Sequence, residues 1–368
     1  MPVLTNTPRS QRLQKYRKMV DLIAMVMPHL PVELAGESAK QRIAHLVTSL
    51  PATSGCGFEV RLGNQADQVD FCLRAMASEG GREAFSEYEP VAASPPANQA
   101  KWHALREFCL HWCDPSSPIL DHVNNVWLEF DLDQSAFRRQ APSVFFDVGE
   151  DAVFESQWIV TEALSILRAL PADQQTEQAL HRCLSALPAR AGIYYLGAML
   201  ARPQQPVRLC LKMPVLAIST FLKKIGWRGN VSAIKYEIEA VPNCAESIVL
   251  GLDLQDIANS KIGVEIKPRS ERDWPSLLDA LVAQKACTPA KRDALMQWPG
   301  QDSALFQSPQ NWHLQPPDTA FEAEIAHVRR LNHIKYAFDT AGLLEVKAYL
   351  YAGFLWRTGN VDDQASSA

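Results

Sequence analysis

Five pairs of strand-like segments, separated by helical segments, most constrain how this chain can fold. Each pair alternates apolar and polar residues, is rich in β-branched or aromatic residues, and has Gly, Pro, Asp or Asn at its bend. The pairs are 57–63 with 68–75, 125–132 with 142–149, 191–200 with 206–213, 247–254 with 261–268, and 333–338 with 344–351. Consecutive hairpins of this kind predict an antiparallel sheet.

Segments with one apolar face of helical period lie between the strand pairs. They are residues 101–113, 152–170, 174–187, 215–225, 274–286, 289–298 and 320–331. Two of them begin with a cap residue close to a proline, Asp273 before Pro275 and Thr288 before Pro289. The order is therefore a strand pair followed by helices, five times over. This order predicts an α+β protein with a ββαα repeat.

Each predicted strand has one apolar and one ionisable face, because successive side chains point to opposite sides. In 57–63, for example, Phe58 and Val60 oppose Glu59 and Arg61. Either the polar face of an open sheet meets bulk water, or the sheet closes and the polar faces line a lumen. About ten antiparallel strands are enough to enclose a cavity. Closure also removes exposed edges, so we predict a closed antiparallel barrel with an outer ring of helices.

Composition excludes several classes of protein. The 368 residues carry a formal net charge of −5, so a global basic field for nucleic acid is absent. No apolar run approaches the roughly 18 residues that span a bilayer. The eight cysteines have no compact spacing, which favours reduced thiols in a cytoplasm. We therefore predict a cytoplasmic protein that binds neither nucleic acid nor membrane, and we predict no metal ligands.

The chain shows no change of composition that would separate two domains. A Pro-rich stretch at 299–319 resembles a loop, and the residues after Arg357 are small and polar. We predict a helical N-terminal extension over residues 1–50, a barrel over 51–357 and a disordered tail over 358–368.

The inward positions combine cations, tyrosines, carboxylates and aromatic rings. The basic and hydroxyl groups are Arg61, Arg74, Arg208, Lys212, Lys267, Lys335, Lys347, Tyr349 and Tyr351. The acids are Glu59, Asp70, Glu129, Asp131, Asp253 and Glu265, and the aromatic residues include Trp127, Phe145 and Tyr194. Enclosed Arg, Lys and Tyr side chains suit a phosphate or diphosphate. Aromatic faces can stabilise a carbocation, and a carboxylate can orient a nucleophile or accept its proton.

Five ββ units alternating with helices resemble the ABBA or PT-barrel prenyltransferases, which include indole enzymes of the dimethylallyltryptophan type and cyanobactin peptide prenyltransferases. The resemblance covers about residues 55–357. It implies that Glu59, on the first strand, is the catalytic glutamate and that Arg74 binds diphosphate. Arg208 and Lys212 in VRLCLKM resemble an Arg-x-Lys-x-Tyr strand, and Lys347 and Tyr349 in VKAYLYAG match a Lys-x-Tyr pattern.

The resemblance also implies an activity. We expect transfer of an allylic group from a prenyl diphosphate to an aromatic or peptide side chain, in the biosynthesis of a peptide natural product. The diphosphate would then be bound by the cations and tyrosines given above. Trp127, Phe145 and Tyr194 would shield the cation or contact the acceptor.

The sequence departs from the family pattern in two respects. Ser143 and Phe145 in PSVFFDVG stand where the fourth strand often has Lys and Tyr. The lumen also has more carboxylates than a diphosphate site needs. These acids bind Mg²⁺ together with the diphosphate, accept a cationic substrate, or mark an altered or lost diphosphate site. The departures leave an alternative open, a non-catalytic barrel that binds a peptide or small anionic ligand as a biosynthetic partner protein.

Overall fold

One antiparallel sheet organises the molecule, and ten of its strands close into a barrel. This computed structural model describes residues 19–51, 53–64, 68–88, 96–132, 141–148, 158–170, 173–202, 204–302 and 324–357. The strands are β1 (Gly55–Arg61), β2 (Val69–Met76), β3 (Asn125–Phe130), β4 (Ser143–Phe146), β5 (Gly192–Ala198), β6 (Val207–Pro214), β7 (Ser247–Asp253), β8 (Ile262–Ile266), β9 (Gly300–Asp302), β10 (Glu324–Phe338) and β11 (Leu343–Arg357).

Pairing between the last strands and the first closes the barrel. Strands β1 to β8 pair in chain order, β8 pairs with β10, β10 with β11, and β11 with β1. The short strand β9 adds to β10 outside this ring. The predicted closed α+β barrel of about ten strands is thereby confirmed, and the open-sheet alternative is wrong.

Helices pack on the outer face of the barrel. They are α1 (Met19–Val26), α2 (Glu37–Val47), α3 (Gly81–Ser86), α4 (Pro96–Cys113), α5 (Pro118–His122), α6 (Ser165–Arg168), α7 (Gln174–Ser185), α8 (Ile218–Ile225), α9 (Val231–Glu239), α10 (Trp274–Ala283) and α11 (Pro289–Gln297). A π-helical turn at Ile159–Leu164 precedes α6. In the described residues, none of the helices has the length and apolar character needed to cross a bilayer.

The hydrophobic core lies between the barrel and these helices. Outward residues of the strands and inward residues of the helices belong to one buried cluster. Ring centroids of Phe58 on β1 and Trp298 are 5.8 Å apart, and those of Phe108 on α4 and Phe146 on β4 are 5.4 Å apart. The apolar face of the sheet is thus covered from outside, and the polar face is left to the lumen.

The predicted helix over 320–331 is wrong where the structure describes it. Residues from Glu324 onward belong to β10, which pairs with β11 along most of its 15 residues. Extended hydrogen bonding with β11 outweighs the helical period of the local apolar residues. Strand β9 also lies inside the stretch that we predicted as a loop. Residues 303–323, 1–18 and 358–368 lie outside the described residues.

Irregularities in two strands, β5 and β10, alter which side chains face the lumen. In β5 the register shifts between Ile193 and Tyr195, and in β10 it shifts between Leu331 and His333. A β-bulge inserts one residue and re-aims the neighbouring side chains. The bulge in β5 matters for the site, because it brings two consecutive tyrosines to the end of the barrel.

Candidate active site in the barrel lumen

The register of the strands shows which predicted residues face the lumen together. Glu59 on β1 lies opposite Tyr349 on β11 and Asp70 on β2. Antiparallel partners share a face of the sheet, so these three side chains point into the enclosed space. We name the two ends of the barrel after β1: the Gly55 end, where β1 begins, and the Arg61 end, where β1 finishes.

Glu59 is the central carboxylate of the lumen, with 2% of its surface exposed. Lys347 Nζ lies 2.7 Å from its Oε1, and the Tyr349 hydroxyl donates a hydrogen bond to its Oε2. Burial alone would raise the pKa of Glu59, but the charges of Lys347, Arg61 and Lys335 outweigh burial and lower the pKa to about 2. The carboxylate is therefore ionised at neutral pH.

Arg61 joins two acids at its end of the barrel. Its Nη1 donates to Asp70 Oδ2 at 2.6 Å, and its Nε lies 3.6 Å from Glu345 Oε2. Burial and the nearby charge of Glu59 raise the pKa of Asp70 to about 6, although Arg61 opposes that shift. Glu59 and Asp70 are thus neighbours whose pKa values are shifted in opposite directions. Perturbed pKa values of this kind are common at functional sites.

Lys335, Glu265 and His333 form a second group next to the ring of Tyr349. Lys335 Nζ lies 3.2 Å from Glu265 Oε1, and His333 Nε2 lies 3.6 Å from Glu265 Oε2. The His333 ring stacks on Tyr349 at 4.2 Å. Burial lowers the pKa of His333 to about 4 despite Glu265. His333 is therefore neutral at physiological pH and shapes the lumen without adding charge.

The remaining predicted cations differ in how they are partnered. Arg208 Nε and Nη2 donate to both oxygens of Asp253, at 2.8 and 3.1 Å. Arg74 Nη2 lies 3.7 Å from Glu79, and its guanidinium carbon lies 5.1 Å from the centroid of the Tyr351 ring. These arginines are held by neighbouring carboxylates. A diphosphate that used them would compete with those carboxylates.

Lys212 and Lys267 are the exceptions among the predicted diphosphate residues. Lys212 is on β6 and Lys267 follows β8, and both are exposed. Across the described ranges, neither has a carboxylate within 4.0 Å. Partial desolvation of the Lys267 ammonium lowers its pKa, the charges of Glu265 and Glu271 oppose this shift, and the charge of Lys212 adds to it. The two lysines lie at the Gly55 end, because β6 and β8 both run toward that end.

The predicted aromatic residues also lie toward the Gly55 end. Trp127 on β3 is opposite Arg74 and Phe145, and its ring meets Tyr351 edge-on with centroids 6.5 Å apart. A Cβ built on Gly197 would lie 2.5 Å from the Phe145 ring, so this glycine makes room for that ring. Tyr194, at the β5 bulge, is 39% exposed. The predicted aromatic set thus surrounds one opening of the lumen.

The alternation of side chains along β5 did not identify Tyr195 as a lumen residue. Its ring meets Tyr194 edge-on, with centroids 4.6 Å apart, and its hydroxyl accepts a hydrogen bond from Asn125 Nδ2 at 2.8 Å. The bulge places it opposite Cys210, on the lumen side. The outward apolar residues Ile193 and Leu196 are three positions apart instead of two. That spacing is the signal from which an extra residue could have been predicted.

Glu129 differs from the other lumen acids. In the part of the chain that the structure describes, it has no hydrogen-bond or ion-pair partner. Burial and the charge of Glu59 raise its pKa to about 7, and Lys335 and Arg202 only partly oppose this. Across the strands its neighbours are Cys72 and Ser143. It is therefore an uncompensated carboxylate in a polar enclosure.

The lumen acids do not form a metal centre by themselves. Over the described ranges, no three His, Cys, Asp or Glu side chains are grouped so that they could hold a metal ion. All eight cysteines fall within the described ranges and are free thiols.

Comparisons with known proteins give similarity in three dimensions only. No family model and no curated protein sequence matches the chain. The structure of AnaPT from Neosartorya fischeri is similar over 97% of this chain and 96% of its own, with a TM-score of 0.47 and 10% sequence identity. The structure of the prenyltransferase PriB in its apo form is similar over 95% of this chain and 96% of its own, with a TM-score of 0.49 and 14% sequence identity.

Proposed function

We propose that the protein is a prenyltransferase that moves an allylic group from a prenyl diphosphate to an aromatic or peptide side chain. The observation that carries the proposal is the environment of Glu59. This ionised carboxylate lies in the middle of an enclosed barrel, in contact with Lys347 and Tyr349. Cations and hydroxyls that can bind a leaving diphosphate thus share one lumen with a carboxylate for the acceptor, and the enclosure limits access of water.

The transfer exchanges one bond for another. The carbon–oxygen bond of the donor breaks, and diphosphate leaves with the electron pair. The allylic carbon then bonds to the acceptor nucleophile, which loses a proton. An aromatic ring or phenol oxygen that has just been alkylated is strongly acidic, so a weak base is sufficient. Glu59, with its pKa lowered to about 2, can serve as that base and can stabilise the cation before attack.

We infer that the donor binds with its diphosphate toward the Gly55 end. Lys212 and Lys267 lie there and have no carboxylate partner within the described ranges. Arg74 and Tyr351 lie at the same end, with the guanidinium over the ring. Since the negative diphosphate interacts best with cations that are not already neutralised, this end suits it better than the acid-rich Arg61 end. The allylic carbon would then point inward, between Tyr351 and Glu59.

The cellular setting is part of the same proposal. A cytoplasmic protein with reduced thiols and a net negative charge would receive a small diphosphate donor and a peptide or aromatic acceptor. Residues 51–357 would form the catalytic barrel, with residues 1–50 as an extension. The packing of α1 and α2 residues such as Met19 and Ile43 into the barrel's hydrophobic cluster supports an extension that is docked on the barrel.

A second candidate is a barrel that binds a peptide or small anionic ligand without chemistry. It is favoured by the ion pairing in the lumen, because Arg61, Arg208 and Lys335 all contact carboxylates. A diphosphate clamp built of these residues would first have to break those contacts. This candidate requires ligand binding without any covalent product.

Mass spectrometry distinguishes the two candidates. The purified full chain is incubated with dimethylallyl or geranyl diphosphate and with peptides that contain Trp, Tyr, Arg or Lys. We expect a prenylated product at multiple turnovers, and loss of turnover in Glu59→Ala with donor affinity nearly unchanged. Absence of product with every donor and acceptor, together with no donor binding by calorimetry, would overturn the proposal. Turnover that survives Glu59→Ala would overturn the role of Glu59.

A further inference from the structure

Glu129 has a half-buried position in the lumen that none of the steps above uses. It lies on β3, between the first-strand carboxylate Glu59 and strand β4. Lys335 and Arg202 influence it electrostatically, but no cation of the described residues lies within 4.0 Å. An unpaired ionised group inside a protein is costly unless a partner arrives. The geometry therefore leaves a place for a positive charge beside Glu129.

A buried hydroxyl next to Glu129 is also without a partner. Ser143 on β4 is the direct cross-strand neighbour of Glu129, so the two side chains share the lumen face. Ser143 is only 1% exposed, and its Oγ makes no hydrogen bond to any described residue. Buried polar groups are nearly always hydrogen-bonded. An unsatisfied hydroxyl and an unsatisfied carboxylate on adjacent strands together indicate a ligand that carries several N–H donors.

Aromatic rings stand one step further along the same two strands. Trp127 is two residues from Glu129 on β3, and Phe145 is two residues from Ser143 on β4, so all four side chains face the lumen. Trp127 also meets Tyr351 edge-on. Aromatic faces attract ammonium and guanidinium groups. Two strands thus present a carboxylate, a hydroxyl and aromatic faces side by side, which is a recognition set for an organic cation.

The charges of the neighbouring residues favour a cation over an anion at this position. Asp70 and Asp131 lie near Glu59 and Glu129, and burial and mutual repulsion raise the pKa of both aspartates. An anion placed here would add to that repulsion. A cation would relieve it and would let Glu129 ionise fully. Cys72, the other cross-strand neighbour, is a neutral thiol whose pKa burial raises.

We propose that Glu129 and Ser143 bind a positively charged group of the acceptor, the guanidinium or ammonium of a basic peptide side chain. This inference rests on the proposed function, because only a transferase has an acceptor, but binding of the cation itself requires no turnover. The cation would sit between Glu129 and the faces of Trp127 and Phe145. Glu129 is thus a residue that determines acceptor specificity, distinct from the carboxylate Glu59 at the reacting centre.

Calorimetric titration of two matched ligands tests the inference. N-acetyl-arginine methylamide and N-acetyl-citrulline methylamide have nearly the same shape, but only the first is charged. At about pH 8, where Glu129 is ionised, we expect the arginine ligand to bind about tenfold more tightly than the citrulline ligand. In Glu129→Gln the two ligands should bind within about twofold of each other. The unmodified full chain alone already tests the charge preference, so the test does not depend on the variant folding.

Asp253→Asn is the matched control. It removes another lumen carboxylate, on β7, where Asp253 contacts Arg208. The preference for arginine should persist in this variant. Equal binding of the two ligands by the unmodified protein would overturn the inference, and so would a preference that survives in Glu129→Gln or is lost equally in Asp253→Asn. If the preference is found but no prenylated product ever forms, the proposed function fails and the cation site stands.

Discussion

The ion pair between Lys347 and Glu59 joins the last strand of the barrel to the first, with Nζ and Oε1 2.7 Å apart. The two residues are separated by 288 positions in the sequence. Neither is more than 14% exposed, so the pair is shielded from water. It therefore contributes both to the closure of the barrel and to the charge state of the site.

Lys347→Met should destabilise the protein more than the double variant Lys347→Met/Glu59→Gln. Removing one partner of a buried pair leaves an uncompensated charge, which costs about 3–5 kcal/mol, whereas removing both charges avoids much of that cost. Urea unfolding followed by circular dichroism measures both free energies of unfolding. A single variant that is as stable as the unmodified protein would show that Arg61 and Lys335 compensate Glu59 without Lys347.

The stability of the protein should increase as the pH falls from about 8 to about 6.5. The pKa values of Asp70 and Glu129 are raised to about 6 and about 7 in the folded chain. At these two groups the folded state binds more protons than the unfolded state, and the stability they contribute is lost as the pH rises through 6 to 7. Below about pH 6.5 the lowered pKa values of His333 and His327 oppose this trend. Urea unfolding across the range measures the slope. Glu129→Gln should make it shallower.

Glu59 has the opposite dependence at lower pH. Its folded pKa of about 2 lies below the value of 4.5 for a free glutamate, so its contribution to stability is present above about pH 4.5 and is lost as the pH falls toward 2. Stability should therefore pass through a maximum at mildly acidic pH and then decline. A monotonic rise of stability from about pH 8 down to about pH 2 would contradict the lowered pKa.

Lys212→Met and Lys267→Met should weaken binding of the diphosphate donor. Each removes a cation that has no carboxylate partner in the described chain, so we expect each dissociation constant for the donor to rise about tenfold, with a weaker dependence on salt. Calorimetry with dimethylallyl diphosphate measures the change. Lys261→Met is the control, since this exposed lysine precedes β8 at the other end of the barrel. An equal loss in the control would argue against a diphosphate position at the Gly55 end.

Gly197→Ala should displace the ring of Phe145. The added methyl group would lie 2.5 Å from that ring, which cannot be accommodated without movement. Overpacking of this kind costs about 1–3 kcal/mol. When Phe145 is already replaced by Ala, the further substitution Gly197→Ala should cost much less stability than it does in the unmodified protein. Additive losses in the double variant would mean that the two residues do not compete for space.

Alternation along the strands was enough to predict the barrel and the face on which each site residue lies. All predicted lumen residues from Glu59 to Tyr351 are on strands of the ring or directly follow one. Alternation could not predict how far along the barrel axis each side chain lies. That depends on strand register, so the pairing of Arg61 with Asp70 and of Arg208 with Asp253 was not foreseen. The neighbouring positions of Glu129 and Ser143 became visible only from the same register.

Bulges and long pairings explain the remaining errors. The extra residue in β5 places Tyr195 on the lumen side, which alternation counted from Tyr194 could not predict. The first half of β10 has a helical apolar period, and its strand conformation is imposed by β11, a partner that follows it in the chain. Local sequence does not contain that information, because the stabilising hydrogen bonds are made by residues outside the segment.

The junction of β1 with β11 has a consequence for how the chain is made. Gly55 pairs with Gly353, so the first strand has no partner on one side until about 300 further residues have been synthesised and β11 has left the ribosome. Until then β1 presents an unpaired edge that could join another nascent chain. Contacts this distant in sequence make folding slow. Expression in bacteria should therefore yield more native protein at low temperature or with added chaperones than under rapid synthesis.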